Sequence, residues 1–307
     1  MQKHRIRPTV VMAALLLVGA SEGCSVANDR MCFSKRPSVV LPDRTKVLAN
    51  LSNGGSGRAI AEAILDGRID DSRAMLVRDP RLLSTVVTHD PLMDAAPTGQ
   101  SGDLLTLAVS RCDSKMIAML IEAGMPPDGV KPGNALSLAL LADTPDLAEQ
   151  LLQAGASPDP LPNGDDPMAA AITFSHPGAV MTLLRHGANP RWADAFGIDR
   201  VRLSVDAEQL DIAELLLAKG GSLWTVAEDG SMAAHLIADA AIVFDSPAMT
   251  AARARLVSKA QSDGLMWPPP DRATVKRMVL SGQWPTAAMT AAGMSVSPRA
   301  LARMRGD

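Results

Sequence analysis

The stretch Leu120-Ile-Glu-Ala-Gly-Met-Pro-Pro-Asp128 returns three times along the chain. The copies are Leu151-Leu-Gln-Ala-Gly-Ala-Ser-Pro-Asp159, Leu183-Leu-Arg-His-Gly-Ala-Asn-Pro-Arg191 and Leu216-Leu-Ala-Lys-Gly-Gly-Ser-Leu-Trp224. Their central glycines, Gly124, Gly155, Gly187 and Gly220, are 31, 32 and 33 residues apart. A second set, Gly164, Gly197 and Gly230, recurs at 33 and 33. Each central glycine follows an apolar helical pattern, such as Leu147, Leu151 and Leu152. Glycine at that point supplies the left-handed residue that closes a helix. The Pro, Asn and Asp residues after it cannot continue the helix and turn the chain. The next helix is expected around Asn134, Asp166 or Asp199, whose side chains accept from the open amides of a helix start. Each unit therefore reads as helix, tight turn, helix and projecting loop. One unit cannot bury its apolar face alone, whereas a stack can.

Composition agrees. The 307 residues suffice for one elongated domain or two compact ones, and 47% are hydrophobic, so a sizeable core is available. Only 3% are aromatic and there is no Tyr, so that core must be built from Ala, Leu, Val, Ile and Met. Thin helical layers suit such residues better than a sheet, which favours β-branched and aromatic side chains. The formal net charge of −3 offers no basic excess for nucleic acid.

The repeated Leu-Leu-x-x-Gly tail at about 33 residues resembles the ankyrin repeat. That family's helix-opening Thr-Pro-Leu-His motif is matched in part by Asp166-Pro167-Met168-Ala169 and Asn134-Ala135-Leu136-Ser137. Ala139 and Ala171 occupy its small position, and Met232-Ala233-Ala234-His235 puts His235 at the motif histidine. Asp199-Arg200-Val201-Arg202 lacks both Pro and His, and the glycine between paired helices is present as Gly67 and mostly absent later. The resemblance implies an all-α fold, an ankyrin-repeat solenoid of stacked helix-turn-helix units. It covers about residues 59–264 and is strongest in 101–230. An insertion is expected around Ile242 to Thr250. Beyond Pro268-Pro269-Pro270, short amphipathic stretches at Val275 to Leu280, Ala287 to Ala292 and Ala300 to Met304 suit a helical C-terminal cap.

The first residues read as an export signal. Lys3, Arg5 and Arg7 precede an apolar run from Thr9 to Ala20, and Val18-Gly19-Ala20 gives the small-x-small pattern of a cleavage site. Cys24 stands where a bacterial lipoprotein carries its acylated cysteine, with Gly23 fitting that motif and Glu22 and Ser21 departing from it. Without lipidation, Cys24 and Cys32 have the spacing to close a small disulfide loop. Cys112, inside the first clear repeat, reads as a buried free thiol. The expected organisation is a signal peptide or lipoprotein signal over 1–23, a flexible tether over 24–57, ankyrin-like repeats over 58–264 and a helical cap over 265–307.

Little in the chain points to catalysis. No two of His4, His89, His176, His186 and His235 have metal-ligand helix spacing, and no Cys-x-x-Cys occurs. His235 is expected to bond turn backbone, and His186 to sit as a cation near a helix end. Ser101 lacks the Gly-x-Ser-x-Gly setting of a nucleophile. Asp165-Asp166 reads as a helix start rather than a metal site. Ser52-Asn53-Gly54-Gly55-Ser56-Gly57 lacks the Lys-Ser/Thr ending of a phosphate loop. Arg253 with Arg255, and Arg299, Arg303 and Arg305, read as solvated helix faces without the aromatics of a nucleic-acid platform.

Ankyrin-like stacks bind through their projecting loops, so the resemblance directs attention to Trp192 and Trp224, one repeat apart. Exposed Trp beside Arg has the composition of an interface hot spot, and the alternative packs each Trp between loops as local core. The expected contact patch is Arg191, Trp192, Asp194, Trp224 and Glu228. The chain is thus read as a non-catalytic protein-binding module without metal or cofactor. It is expected to be exported to the periplasm or lipid-anchored through Cys24, and a role as an immunity protein against a toxin fits that reading. An envelope assembly scaffold, a secreted host-directed effector and an enzyme using the C-terminal region are the alternatives.

Overall fold

The computed structural model describes residues 44–87, 102–132, 134–141, 144–239, 246–291 and 293–306. The described residues are mostly helical, with sixteen α-helices and two two-residue strands. The chain divides into two compact units. Residues 44–171 and 181–186 belong to one and residues 172–180 and 187–306 to the other.

Chain order begins with α1 (Arg44–Ala49), α2 (Gly54–Leu65) and α3 (Ile69–Arg78), then a single-turn 3-10 helix at Pro80–Ser84. There follow α4 (Leu104–Ser110), α5 (Ser114–Glu122), α6 (Asn134–Leu141), α7 (Pro145–Gln153), α8 (Pro167–Thr173) and α9 (Pro177–Arg185). Helix α2 starts inside the expected tether. Gly54 opens it with φ of 57°, and a Cβ on Gly57 would lie 2.1 Å from the Ser52 carbonyl oxygen, so close approach of backbone, not flexibility, selects glycine at position 57.

In the 44–171 unit the first helix of each pair packs on the first helix of the next. α2 meets α4 and α4 meets α6, while α3 packs on α5. Ile60, Ile64, Leu104, Leu105, Ile117, Leu120, Leu136 and Leu151 fill the core, and Ala139 and Ala171 are fully buried. The repeated glycines act as expected. The Gly124 and Met125 amides donate to the carbonyls of Ile121 and Leu120, and Gly155 and Ala156 do the same to Leu152 and Leu151. Gly124 and Gly155 have φ of 101° and 103°. The turn between paired helices repeats this geometry without glycine. Cys112 has φ of 57°, and the amides of Cys112 and Asp113 donate to Val109 and Ala108. Cys112 is half-buried and disulfide-bonded, which corrects the buried free thiol. Its partner sulfur, and with it Cys24 and Cys32, lies outside the described residues, as do the signal region, His4, His89 and Ser101.

In the unit of 172–180 and 187–306 the elements continue with α10 (Arg200–Asp206), α11 (Leu210–Ala218), β1 (Thr225–Val226), α12 (Ala233–Ala238) and α13 (Pro247–Ser262). They end with α14 (Arg272–Leu280), α15 (Ala287–Ala291), β2 (Ser295–Val296) and α16 (Pro298–Arg305). α10 packs on α11 and α12, and α13 on α11 and α12. Ser246 caps α13, so residues 247–250 of the expected insertion are that helix's first turn, and 242–245 lie outside the described residues. The C-terminal segment is not purely helical. β2 pairs in parallel with β1, Thr225 opposite Ser295 and Val226 opposite Val296.

Candidate functional site

The projecting loops share one design. The amides of Gly129, Gly164, Gly197 and Gly230 donate to the carbonyls of Pro126, Leu161, Asp194 and Ala227, at 2.8, 3.0, 3.1 and 2.9 Å. Two of these turns lead straight into an aspartate-capped helix, where Asp166 and Asp199 accept from the Ala169 and Arg202 amides. Asp103 and Asp113 cap α4 and α5 in the same way, accepting from the Thr106 and Met116 amides. Successive loops are stitched by backbone. Asp165 donates to the Pro132 carbonyl at 2.8 Å in the 44–171 unit, and Glu228 to that of Phe196 at 2.8 Å in the other.

Side chains add to the stitching. The fully buried Asp103 caps α4 with Oδ1 and accepts from the Val130 and Lys131 amides with Oδ2, at 2.8 and 3.1 Å. Asp128 accepts from the Ser157 amide at 2.7 Å. Burial pushes the Asp103 carboxyl above its ordinary range, and its hydrogen bonds pull the other way. Asp165 is pushed up to about 6, first by burial and then by the neighbouring Asp166.

The expected patch lies in the second unit, where the structure brings its members together with the C-terminal segment. Arg191 donates through Nε to the Gly220 carbonyl at 2.5 Å, a cation set on the closing turn of α11. Asp194 accepts from the Phe196 and Ile198 amides at 2.8 and 2.9 Å and so shapes its own turn. Trp192 is half-buried, with the buried Arg200 guanidinium 4.5 Å from its ring centroid. Trp224 is core. It is 1% exposed, its Nε1 donates to Asp263 at 2.8 Å, and Trp267 meets it edge-on with centroids 6.5 Å apart. Glu228 pairs with Arg303 at 3.6 Å.

Residues absent from the expected patch complete this surface. Arg303 also lies over the Phe196 ring, 4.5 Å from its centroid. Ser222 donates to the Gly293 carbonyl at 2.7 Å. A Cβ on Gly197 would meet Ala300 at 2.8 Å, and one on Gly230 would meet the Arg272 carbonyl oxygen at 2.1 Å. The C-terminal segment therefore lies directly on the loops at 196–197 and 222–230. A shallow cleft of about 440 Å³ opens beside it, lined by Glu228, Asp229, Lys276, Arg303 and Gly306. Phe196 was detectable from its place beside a periodic glycine. Arg303 had no signal, because its partners are distant in sequence.

Asp199 lies beneath this cover. It is fully buried and is pushed up to about 6 by burial, against the pull of Thr225 and Arg202. His235 bonds turn backbone. Its Nδ1 accepts from the Met232 amide at 3.0 Å, so Nε2 carries the proton toward the Pro270 carbonyl at 2.7 Å. Burial depresses its pKa. His186 contacts Glu149 at 2.8 Å. Arg253 donates to the Ile237 and Asp239 carbonyls and Arg255 to both oxygens of Glu214, so neither is merely solvated.

Among the described residues no group of three or more His, Cys, Asp or Glu is placed to hold a metal ion. Nor is any described helix long and apolar enough to cross a membrane. Comparison with known proteins finds no matching family model and no similar curated protein.

Proposed function

We propose that the chain is an exported ankyrin-like repeat protein that binds another protein and carries out no reaction of its own. The observation that carries this reading is the recurrence of one unit. Helix pairs are closed by the left-handed Gly124, Gly155, Gly187 and Gly220 every 31 to 33 residues, and between them glycine turns recur at Gly129, Gly164, Gly197 and Gly230. Within each unit such repetition sets like loops from different parts of the sequence beside one another, which is how repeat proteins make recognition surfaces. The side chains around those loops are spent on capping, stitching and packing. Asp103, Asp166 and Asp199 cap helices, His235 holds a turn, and Trp224 fills core. Arg191, Trp192 and Glu228 keep a surface aspect, and Trp224 supports them from beneath.

Export is supported by Cys112. A disulfide on a repeat turn suits an oxidising compartment, in keeping with the signal-like start. Defence against a toxin entering or crossing the envelope is the role this reading favours, by analogy with binders that act by occupancy alone.

The test is in-cell crosslinking of the chain tagged after Asp307, with partners identified by mass spectrometry and then reconstituted. One protein partner that binds the purified chain saturably at fixed stoichiometry supports the proposal. Recovery of no protein partner at normal abundance of folded chain overturns it.

A further inference from the structure

Asp103 and Asp199 stand at the same place in two helix pairs, each capping the first helix, and both are fully buried. Each caps with Oδ1, which accepts from the Thr106 amide at 2.9 Å in one case and from the Arg202 amide at 2.7 Å in the other. The other oxygen sets them apart. Oδ2 of Asp103 accepts from the amides 27 and 28 residues further on, Val130 at 2.8 Å and Lys131 at 3.1 Å. The residues at those offsets from Asp199 are Val226 and Ala227, and both are committed elsewhere. Val226 lies in β1 and pairs with Val296 of β2, while the Ala227 amide donates to the Ser231 carbonyl at 2.9 Å. Oδ2 of Asp199 is therefore buried without a hydrogen-bond partner among the described residues.

The C-terminal segment occupies the loop that would otherwise serve this oxygen. Thr225 pairs with Ser295, whose hydroxyl donates to that of Thr225 at 3.5 Å, and the Thr225 hydroxyl also lies against the Asp199 carboxyl. Carboxyl, β1 and β2 thus form one contact. An ionised carboxylate here holds an oxygen without a donor in a dry site, whereas a protonated one carries no charge. Burial raises Asp199 to about 6; it raises Asp103 too, but there the two loop amides oppose it. The charged groups on α10 and its neighbours are engaged elsewhere or face solvent. Arg202 attracts Asp199 but holds Asp206 and Ser231, and Arg200 lies over Trp192. On α11, Glu214 holds Arg255 and Asp211 is exposed, and His235 of α12 is bonded to Met232 and Pro270. Asp194 shapes its own turn, Glu228 and Asp229 pair with Arg303 and Arg272, and Arg299 and Arg305 of α16 are exposed.

We propose that Asp199 is a proton-operated latch on the C-terminal segment. Protonated, it leaves β1 to pair with β2, and residues 293–306 stay seated on the loops. Ionised, it draws the Val226 and Ala227 amides as Asp103 draws those of Val130 and Lys131, and β2 is released more often. The segment keeps its other holds, Ser222 on the Gly293 carbonyl, Arg303 on Glu228 and the buried Met294, Ala300 and Met304. Release is therefore a minor state, and pH sets its frequency. The latch does not depend on the protein-binding reading.

The test is hydrogen–deuterium exchange of the full chain read by mass spectrometry, corrected for the intrinsic effect of pH on exchange. Amides of residues 293–306 are compared with those of α11 in the same unit. Opening of 293–306 is expected to rise about tenfold between pH 5 and pH 7.5 and to level above about pH 6, with no such rise in α11. Asp199→Asn and Asp199→Ser each keep a capping oxygen and do not titrate, so either one that folds is expected to abolish the rise. Opening of 293–306 that is indifferent to pH in the wild type overturns the proposal. So does an equal rise in α11, which would mark loosening of the whole unit, or a rise that persists in a folded variant.

Discussion

Glu208 holds the backbone that Gly67 holds. Its φ is 59° and that of Gly67 is 69°, each at the turn between two paired helices. Ser175 and Cys112 adopt the same conformation, both at 57°. A side chain in this left-handed region costs roughly 1 kcal/mol that glycine avoids. Glu208→Gly is therefore expected to raise stability by about 0.5–1 kcal/mol, measured as the denaturation midpoint. Gly67→Ala is expected to lower it by about 1 kcal/mol. An added Cβ there meets nothing nearer than 3.7 Å, so the loss is one of backbone conformation. A stabilised Gly67→Ala protein would contradict the assignment.

Asp199 gives the fold a pH dependence. Its folded pKa of about 6 lies above the ordinary 3.8, so the folded state binds the proton more tightly than the unfolded chain. The stability it contributes is complete below about pH 4 and is lost as pH rises through about 6, by roughly 2–3 kcal/mol in all. His235 acts in the opposite sense, because its depressed pKa makes protonation below about 6.5 unfavourable in the fold. The comparison that isolates Asp199 is with Asp199→Asn, which keeps a capping side chain. Wild type should lose more stability than the variant between pH 5 and pH 7.5 in chemical denaturation. Parallel curves would place the titration elsewhere.

Trp224 supports the surface rather than forming it. Trp224→Ala removes a fully buried ring and its bond to Asp263, and is expected to cost about 3–5 kcal/mol. Trp192→Ala, at a half-buried ring over Arg200, should cost clearly less. Thermal melts decide between this and equal contributions from two exposed residues.

The Cys112 disulfide joins residues distant in sequence, so its reduction is expected to lower stability by about 2–4 kcal/mol. Cys112→Ser should match the reduced wild type and respond no further to reductant. An unchanged melting temperature on reduction would deny the bond a structural role.

The helix ends were legible because a helix-closing turn is a local event. Gly124, Gly155 and Gly220 each close a helix as the 31 to 33 residue spacing implied. The turns at Cys112, Ser175 and Glu208 were not legible, because their sequences carry no glycine and the conformation is imposed by the helices on either side. Composition misled at Gly54-Gly55-Ser56-Gly57, where four small residues suggest a flexible linker. The requirement met at Gly57 is room for the Ser52 carbonyl beside a helix. Trp224 was left open between surface and core. What decides it is Asp263 and Trp267, about 40 residues further on. The pairing of Thr225 with Ser295 spans 70 residues and two-residue strands, too short for any alternation to announce.

The most direct test of the account is in-cell crosslinking of the full-length chain, with partners identified by mass spectrometry and the purified pair then titrated. The account predicts one protein partner, bound saturably at fixed stoichiometry. Recovery of no protein partner from folded, normally abundant chain would contradict it.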